Sequence, residues 1–167
     1  DSFPVYVFRF SCTNVSLART YHGHGTDRAL LGGIMGFSTD DMRIRNSFEI
    51  ATENGLEYSF TPNEEETDIH PNTVDIIMTN TAGQEMTIRG ESLGGGKVHI
   101  TQINHVEVDF TGEYSAIIVV QKDVPGVVAW ITSCLSDRRV NIAFMRLFRE
   151  SKGHTAYTIV ESDGKLP

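Results

Sequence analysis

Short runs rich in β-branched and aromatic residues alternate with two helical patterns in the first half of the chain. Residues 5–10, Val-Tyr-Val-Phe-Arg-Phe, are typical of a strand. Apolar positions between residues 29 and 35 indicate a helix, and Thr26 stands where a capping residue would lie. Three glycines in this region weaken the helix intrinsically, so we expect it to pack closely on a sheet.

A second helix is predicted to follow a Ser-Thr-Asp-Asp segment ending at Asp41. This segment resembles a capping box with Asp in place of the usual Glu or Gln. Ile44, Phe48 and Ala51 then follow at positions i, i+4 and i+7, on one face of a helix. Gly55 stands where this helix is expected to end.

Five strands are predicted after the helices, separated by short polar turns. They cover residues 56–60, 73–79, 85–90, 97–103 and 106–110. Helices that are segregated from a run of consecutive strands indicate an α+β fold rather than a parallel α/β fold.

The pattern restarts after Thr111-Gly112-Glu113, which we take as the domain boundary. A strand, a helix and two further strands follow, at residues 116–120, 127–135, 140–148 and 155–160. The sequence therefore predicts two domains, residues 1–112 and 113–167, the second with the element order β-α-β-β.

The charge of the chain narrows the classes of partner. Its 167 residues carry a formal net charge of −8 at pH 7. A surface of that sign repels phosphate, so we expect neither nucleic acid nor an anionic membrane as partner. No run approaches the roughly 20 apolar residues of a membrane span, and the first residues lack the basic segment of a signal peptide.

The two cysteines, Cys12 and Cys134, lie far apart in the sequence. Buried thiols in a reducing cytosol are favoured over a disulfide framework, so we predict a cytoplasmic protein. Two cysteines also cannot complete the cysteine-rich ligation of an iron–sulfur cluster. We therefore predict no metal ligands in this chain.

The first candidate for chemistry is residues 22–27, His-Gly-His-Gly-Thr-Asp. Its glycines let the backbone approach a ligand closely, and a helix start at Thr26 favours a bound carboxylate or phosphate. An imidazole titrates near neutrality, so His24 beside such an anion suits a general base acting on an amino acid. Spacing alone is equally consistent with an unliganded turn, and a His-x-His zinc site stays open, although no third ligand has recognisable spacing.

The second candidate is the glycine-rich segment Gly-Glu-Ser-Leu-Gly-Gly-Gly-Lys that begins at Gly90. It superficially resembles a phosphate loop, but Glu91 and Val98 depart from the Walker pattern and no helix is predicted after it. Nucleotide binding is therefore rejected. Its consecutive glycines can form an anion nest, and Ser92 can donate a hydrogen bond to a carboxylate. A flexible hairpin loop is the alternative, and local features favour it slightly.

Two further loops are candidates for binding. His70-Pro71-Asn72 can bring a polar pair to a strand entrance, although ordinary turn chemistry is the favoured interpretation there. Asp123-Val124-Pro125-Gly126 precedes the predicted helix of the second domain, and such a loop can hold the carboxylate or amine of an amino acid. Asn141, at the start of the next strand, is a further candidate for the same binding site.

Together these motifs resemble the beta segment of bacterial iron–sulfur L-serine dehydratases. The resemblance runs in order through residues 20–30, 36–41, 70–72, 90–96, 110–114, 123–126 and 141–146. The last two ranges are similar to the ACT segment of two-chain members. The resemblance implies an allosteric-substrate-binding-like domain followed by an incomplete, ferredoxin-like ACT domain.

The resemblance also implies an activity, in which L-serine loses water and then ammonia to give pyruvate. It implies a [4Fe–4S] cluster held by an alpha portion and not by this chain, which is expected to be inactive alone. His24 is the implied proton-transfer residue, with His22 as the alternative because position 22 is often Lys in the family. The implied substrate-binding residues are Ser92, His70, Asn72, Gly94 and Gly95, and the implied effector-binding residues are Asp123, Gly126 and Asn141.

The expected partners are the alpha portion, L-serine and a second copy of the chain. The alternative is that the chain is a regulatory module that binds an amino acid. This chain also resembles the regulatory part of some phosphoglycerate dehydrogenases, which contains the same two domain types. Such a module has no need for the Gly-His-Gly-Thr-Asp motif, which favours the enzyme.

Overall fold

A computed structural model of the chain describes residues 25–63, 66, 68–111 and 113–164, together with the backbone of residues 5–12. Contacts divide the chain into two units, Asp1–Leu93 and Gly94–Pro167. This division in space does not by itself define domains of separate ancestry, so the boundary after residue 112 stays a prediction.

The described residues of the first unit form two α-helices and four strands. Strand β1 pairs parallel with β2 and antiparallel with β3, and β3 pairs antiparallel with β4, which gives the order β2-β1-β3-β4. The bounds are β1 Val5–Cys12, α1 Thr26–Ile34, α2 Ser47–Glu53, β2 Glu57–Pro62, β3 Thr73–Asn80 and β4 Glu85–Gly94.

The helices cover one face of this sheet. Leu31 of α1 and Ala51 of α2 are fully buried at the centre of the core. Apolar side chains from both helices and from alternate strand positions pack around them: Leu30, Ile34, Met35, Phe48, Leu56, Tyr58, Phe60, Val74, Ile76 and Met78. The period of two in β3 thus fixes which of its side chains face the helices.

Both helices begin differently from the sequence prediction. Gly25 caps α1 with a φ of 72°, and no side chain caps the helix, so the capping role predicted for Thr26 is wrong. The second helical segment opens as a 3-10 turn, Met42–Asn46, and the Asp41 carboxylate caps it by accepting a hydrogen bond from the Arg43 amide. The predicted end is confirmed, since Gly55 follows α2 with a φ of 70°.

Gly32 permits a close approach between helical segments. A Cβ at this position would lie 3.1 Å from the Ser47 hydroxyl and 3.2 Å from Ile44 Cγ1. The close packing predicted for the glycines therefore occurs, at Gly32, against the following helical segment rather than against the sheet.

The second unit contains an antiparallel β5–β6 pair and a three-stranded antiparallel sheet in the order β7-β9-β8. The bounds are β5 Lys97–Ile103, β6 Val106–Phe110, β7 Ser115–Lys122, α3 Val127–Asp137, β8 Ile142–Arg149 and β9 Thr155–Ser162. The mixed α and β content with mainly antiparallel sheets agrees with the predicted α+β class. The order β-α-β-β is confirmed, while its assignment as an ACT domain stays a prediction.

Helix α3 packs on one face of the three-stranded sheet. Ile131 and Leu135 of the helix meet Val160 of the central strand β9 in a buried cluster. The other face of β9 is buried as well, because Tyr157 and Ile159 are at most 3% exposed. Asn104, in the β5–β6 turn, donates a hydrogen bond to the Tyr157 hydroxyl.

Candidate functional site

Three predicted substrate-binding residues meet at one end of the first unit's sheet. Strand β3 begins at Thr73, which pairs with Glu91 near the far end of β4. One step further out, the Ser92 amide donates a hydrogen bond of 3.0 Å to the Asn72 carbonyl oxygen. The Asn72 amide in turn contacts His70 Nδ1, so hydrogen bonds connect His70, Asn72 and Ser92 in a group that we call the strand-end cluster.

Local hydrogen bonds fix the turn that carries His70. The Asn72 amide donates to His70 Nδ1 at 3.2 Å. The Thr73 hydroxyl donates to the His70 carbonyl oxygen at 2.6 Å, and the Thr73 side chain is fully buried. His70 and Asn72 are half-buried, whereas Ser92 is exposed. The turn interpretation of this motif is thus confirmed, and the turn also presents polar groups at the sheet end.

Strand β1 ends at the same end of the sheet. Its last residue, Cys12, pairs with Val74, the second residue of β3. The chain continues from Cys12 into residues 13–24, which include His22 and His24 and lie outside the described residues. The description resumes at Gly25, and two residues on, the Asp27 carboxylate is 2% exposed and accepts a hydrogen bond from the Arg28 amide.

An ion-pair network lies further into the sheet, two residues along β3 from Thr73. Arg89 of β4 binds Asp75 of β3 through two bonds of 2.7 Å, and its Nη2 also lies 2.7 Å from Glu66. The Arg89 and Asp75 side chains are 15% and 13% exposed. The hydrogen bonds that Arg89 donates to the Asp75 carboxylate raise the pKa of Arg89 further above its already high value. The sequence analysis did not predict this ion pair, although the predicted β3–β4 hairpin places Asp75 and Arg89 on facing strands.

Gly94 and Gly95 lie beyond Ser92, at the turn between β4 and β5. Gly95 and Gly96 form the two turn residues, with φ values of 61° and 79°. Two-residue turns of type I′ require a positive φ at both positions, which glycine adopts without strain. Turn geometry thus accounts for Gly95 and Gly96, and the role of Gly94 and Gly95 in substrate binding stays a prediction.

The three predicted effector residues do not meet within the chain. Asp123 follows β7, where it accepts hydrogen bonds from the Gly153 amide at 3.0 Å and from Arg149 at 3.3 Å. Gly126 caps α3 at the same end of the sheet. Asn141 lies at the other end, where it binds Asp163 at 2.8 Å. The seven steps along β9 that separate these ends span about 23 Å, so one small ligand in one chain cannot contact all three.

The Asp123 carboxylate is anchored to the turn before β9. The hydrogen bond from the Gly153 amide, and secondarily the contact with Arg149, hold the pKa of Asp123 below its usual range. This carboxylate is therefore charged at neutral pH, and it binds the Gly153 amide and Arg149 of the same unit.

The donor set of this chain does not fit an iron–sulfur cluster. The sequence contains two cysteines, of which Cys134 is half-buried on α3. In the described part of the chain, no three His, Cys, Asp or Glu side chains are grouped closely enough to hold a metal ion.

No helix among the described residues is long and apolar enough to cross a membrane.

The fold and the strand-end cluster define a two-unit α+β protein that presents a histidine, an amide and a hydroxyl residue where two strands end. Comparison with known proteins gives its family. No protein-family model matches the chain. The chain is 40% identical over 151 residues to the L-serine dehydratase beta chain of Peptoniphilus asaccharolyticus, covering 90% of this chain and 68% of that one. It is 37% identical over 151 residues, with the same coverage, to the probable L-serine dehydratase beta chain of Bacillus subtilis. The chain belongs to the L-serine dehydratase beta-chain family, as the sequence motifs predicted.

Proposed function

We propose that this chain is the beta portion of an iron–sulfur L-serine dehydratase that converts L-serine to pyruvate and ammonia. In this proposal an alpha portion holds the [4Fe–4S] cluster, which activates the departing hydroxyl when bound. The chain supplies the residues that bind the amino acid and move its Cα proton. The proposal rests on the sequence identity of 40% and 37% to two L-serine dehydratase beta chains over 90% of this chain.

The geometry of the strand-end cluster supports this function. A carboxylate needs several hydrogen-bond donors, and His70, Asn72 and Ser92 offer an imidazole, an amide and a hydroxyl within one cluster. The exposed position of Ser92 and the half-buried positions of His70 and Asn72 leave their polar groups near the surface. A partner that closes over this edge would exclude water and strengthen each hydrogen bond.

His24 is the proposed proton-transfer residue. Strand β1 ends twelve residues before His24 in the sequence, at the same end of the sheet as the strand-end cluster, since Cys12 pairs with Val74. A neutral imidazole within reach of the substrate Cα can accept its proton and later return it to product. The preceding residues include His22, which is the alternative for the same step.

Reconstitution tests this function. The full chain, mixed with a cluster-loaded alpha chain from a two-chain relative, should release pyruvate from L-serine, whereas each chain alone should not. His24→Ala should abolish pyruvate release, because removal of a catalytic acid–base group lowers the rate by about 10²–10⁴-fold. His22→Ala, measured in parallel, decides between the two histidines.

His154→Ala is the matched control, because this histidine lies exposed in the turn before β9 of the other unit. It should leave pyruvate release unchanged. Normal turnover by both His24→Ala and His22→Ala would show that neither histidine moves the proton.

The remaining expectations belong to the same proposal. We propose that the second unit is an ACT-like module that senses an amino acid through the loop at Asp123 and Gly126, and that two copies of the chain associate in a cytoplasmic enzyme. Calorimetry with L-serine separates the enzyme from the purely regulatory alternative. Tight binding of L-serine to the isolated chain, without activity in the reconstituted mixture, would favour a regulatory module.

A further inference from the structure

We infer that Thr73 is a positioning residue that holds His70 in the tautomer with its proton on Nε2. His70 would then meet the substrate as a hydrogen-bond donor and not as the proton acceptor. The tautomer follows from the described contacts, whereas the role toward substrate rests on the function proposed above.

The argument begins at His70 Nδ1. This nitrogen faces the backbone amide of Asn72 at 3.2 Å. A backbone N–H can only donate, so Nδ1 must present its lone pair. A neutral imidazole carries one proton, which then lies on Nε2. The ring nitrogen that remains available to a ligand is therefore a donor.

Thr73 holds the backbone that creates this contact. Its hydroxyl donates to the His70 carbonyl oxygen at 2.6 Å, so the side chain of residue 73 bridges back to residue 70. The Thr73 side chain is fully buried at the first position of β3, where its rotamer cannot change freely. The bond from the Ser92 amide to the Asn72 carbonyl oxygen anchors the same turn to β4.

The chemical consequence is a division of labour between histidines. A ring whose free nitrogen already carries a proton cannot accept one from the substrate Cα without first losing its own. It can donate to a carboxylate or hydroxyl oxygen, which are the oxygen groups of a hydroxy-amino acid. Proton abstraction is thereby left to another residue, in agreement with the role proposed for His24.

Nuclear magnetic resonance tests the tautomer directly. The full chain, labelled with ¹⁵N at its six histidines, is recorded with two-bond ¹H–¹⁵N correlations, and His70→Gln identifies the ring signals of His70. We expect an acceptor-type Nδ1 and a protonated Nε2 in the neutral wild-type ring. Thr73→Ser should keep this pattern, and Thr73→Val should shift it toward a mixture of tautomers.

The matched control is Thr79→Val, the same substitution near the other end of β3, where the hydroxyl lies 3.5 Å from the Glu85 carboxylate. It should leave the His70 signals unchanged. If Thr73→Val does not fold, the wild-type ring still decides the tautomer, and Thr73→Ala, which also lacks the hydroxyl, takes the place of Thr73→Val. A wild-type ring protonated on Nδ1, or an unchanged ring in folded Thr73→Val, would overturn the inference.

Kinetics of the reconstituted enzyme give an independent readout. Thr73→Val should lower kcat/KM by about 10–100-fold, the range known for outer-shell partners that orient metal-bound histidines. Thr73→Ser should recover most of this loss. If the mixture makes no pyruvate while His70 keeps its proton on Nε2, the proposed function fails and the tautomer stands. An altered tautomer in an enzyme with unchanged kinetics would overturn the substrate role of His70.

Discussion

The strand-end cluster of the first unit and the predicted effector loops of the second unit show opposite outcomes of the same kind of sequence signal. Each was predicted from polar and glycine residues that flank strands or helices. In the first unit, hydrogen bonds connect His70, Asn72 and Ser92 at one end of the sheet. In the second, Asp123 and Asn141 lie at opposite ends of β9.

Strand topology explains this difference. In an antiparallel hairpin the start of one strand faces the end of the next, so residues just before β3 meet residues late in β4. In the β7-α3-β8 unit the helix returns the chain to the starting end, and both strands pair antiparallel with β9. The end of β7 and the start of β8 are then a strand length apart. Proximity in a motif therefore has to be judged after the strand directions are known.

The largest expected contrast is in activity. His70→Gln should lower kcat of the reconstituted enzyme by about 10²–10³-fold, the loss known for removal of one well-placed donor at a reacting oxygen. Asn141→Ala should leave kcat at the wild-type level when no effector is added. Steady-state pyruvate assays check both, and equal losses in the two variants would remove the functional distinction between the regions.

Stability should show the next largest contrast. Arg89→Ala leaves the Asp75 carboxylate, 13% exposed, without its main partner. We expect the free energy of unfolding to fall by about 2–3 kcal/mol. Arg149→Ala removes an exposed contact with Asp123 and should cost about 0–1 kcal/mol. Urea titrations measure the free energy of unfolding of both variants. Similar losses would mean that the Arg89–Asp75 ion pair is no stronger than a surface ion pair.

Two glycine caps offer a matched backbone comparison. Gly25 and Gly126 both begin helices with positive φ, 72° and 92°, and a Cβ at either would meet open space. Alanine at each should therefore cost a similar amount, about 1–2 kcal/mol, from backbone strain alone. Gly25→Ala should also lower dehydratase activity, because it follows His24 directly, whereas Gly126→Ala should not. Thermal unfolding and pyruvate assays on both variants separate these effects.

The smallest expected effect is the pH dependence contributed by Asp123. Its pKa is lowered in the folded chain, chiefly by the Gly153 amide, so its unfolded form binds a proton more readily. Its contribution is fully present above the usual Asp pKa of about 3.9 and is lost as pH falls through the lower folded value. Asp123→Asn should flatten this part of the stability curve in acid titrations between about pH 5 and pH 2. An unchanged acid limb would show that the anchor is not formed in solution.

Much of the fold was predictable because its signals are local. Every predicted strand and helix is present in the described residues, since period-two runs, glycine stops and turn residues act within a few positions. The start of α1 was misplaced because Gly25 caps it through a left-handed backbone conformation, which leaves no side-chain signal to distinguish it from Thr26. The second helical segment opens as a 3-10 turn capped by Asp41, with Arg43 bound to the same carboxylate, and a capping-box pattern does not specify this arrangement.

The candidate site was predictable in its residues but not in its arrangement. The resemblance named His70, Asn72 and Ser92, while the hydrogen bond to His70 Nδ1 and the buried Thr73 hydroxyl require the geometry of the turn. The Asp75–Arg89 pair requires the exact hairpin register, since a slip of one residue would turn the two side chains to opposite faces. The separation of Asn141 from Asp123 follows from strand direction and could have been deduced from the predicted β-α-β order.

Amide hydrogen exchange tests most directly whether the strand-end cluster is where this chain meets its catalytic partner and substrate. The full chain is compared alone and with a cluster-loaded alpha chain and L-serine. We predict strong new protection at residues 70–73 and 90–93, and little change at residues 138–142. Protection confined to the second unit, with the strand ends of β3 and β4 exchanging as in the free chain, would contradict the account.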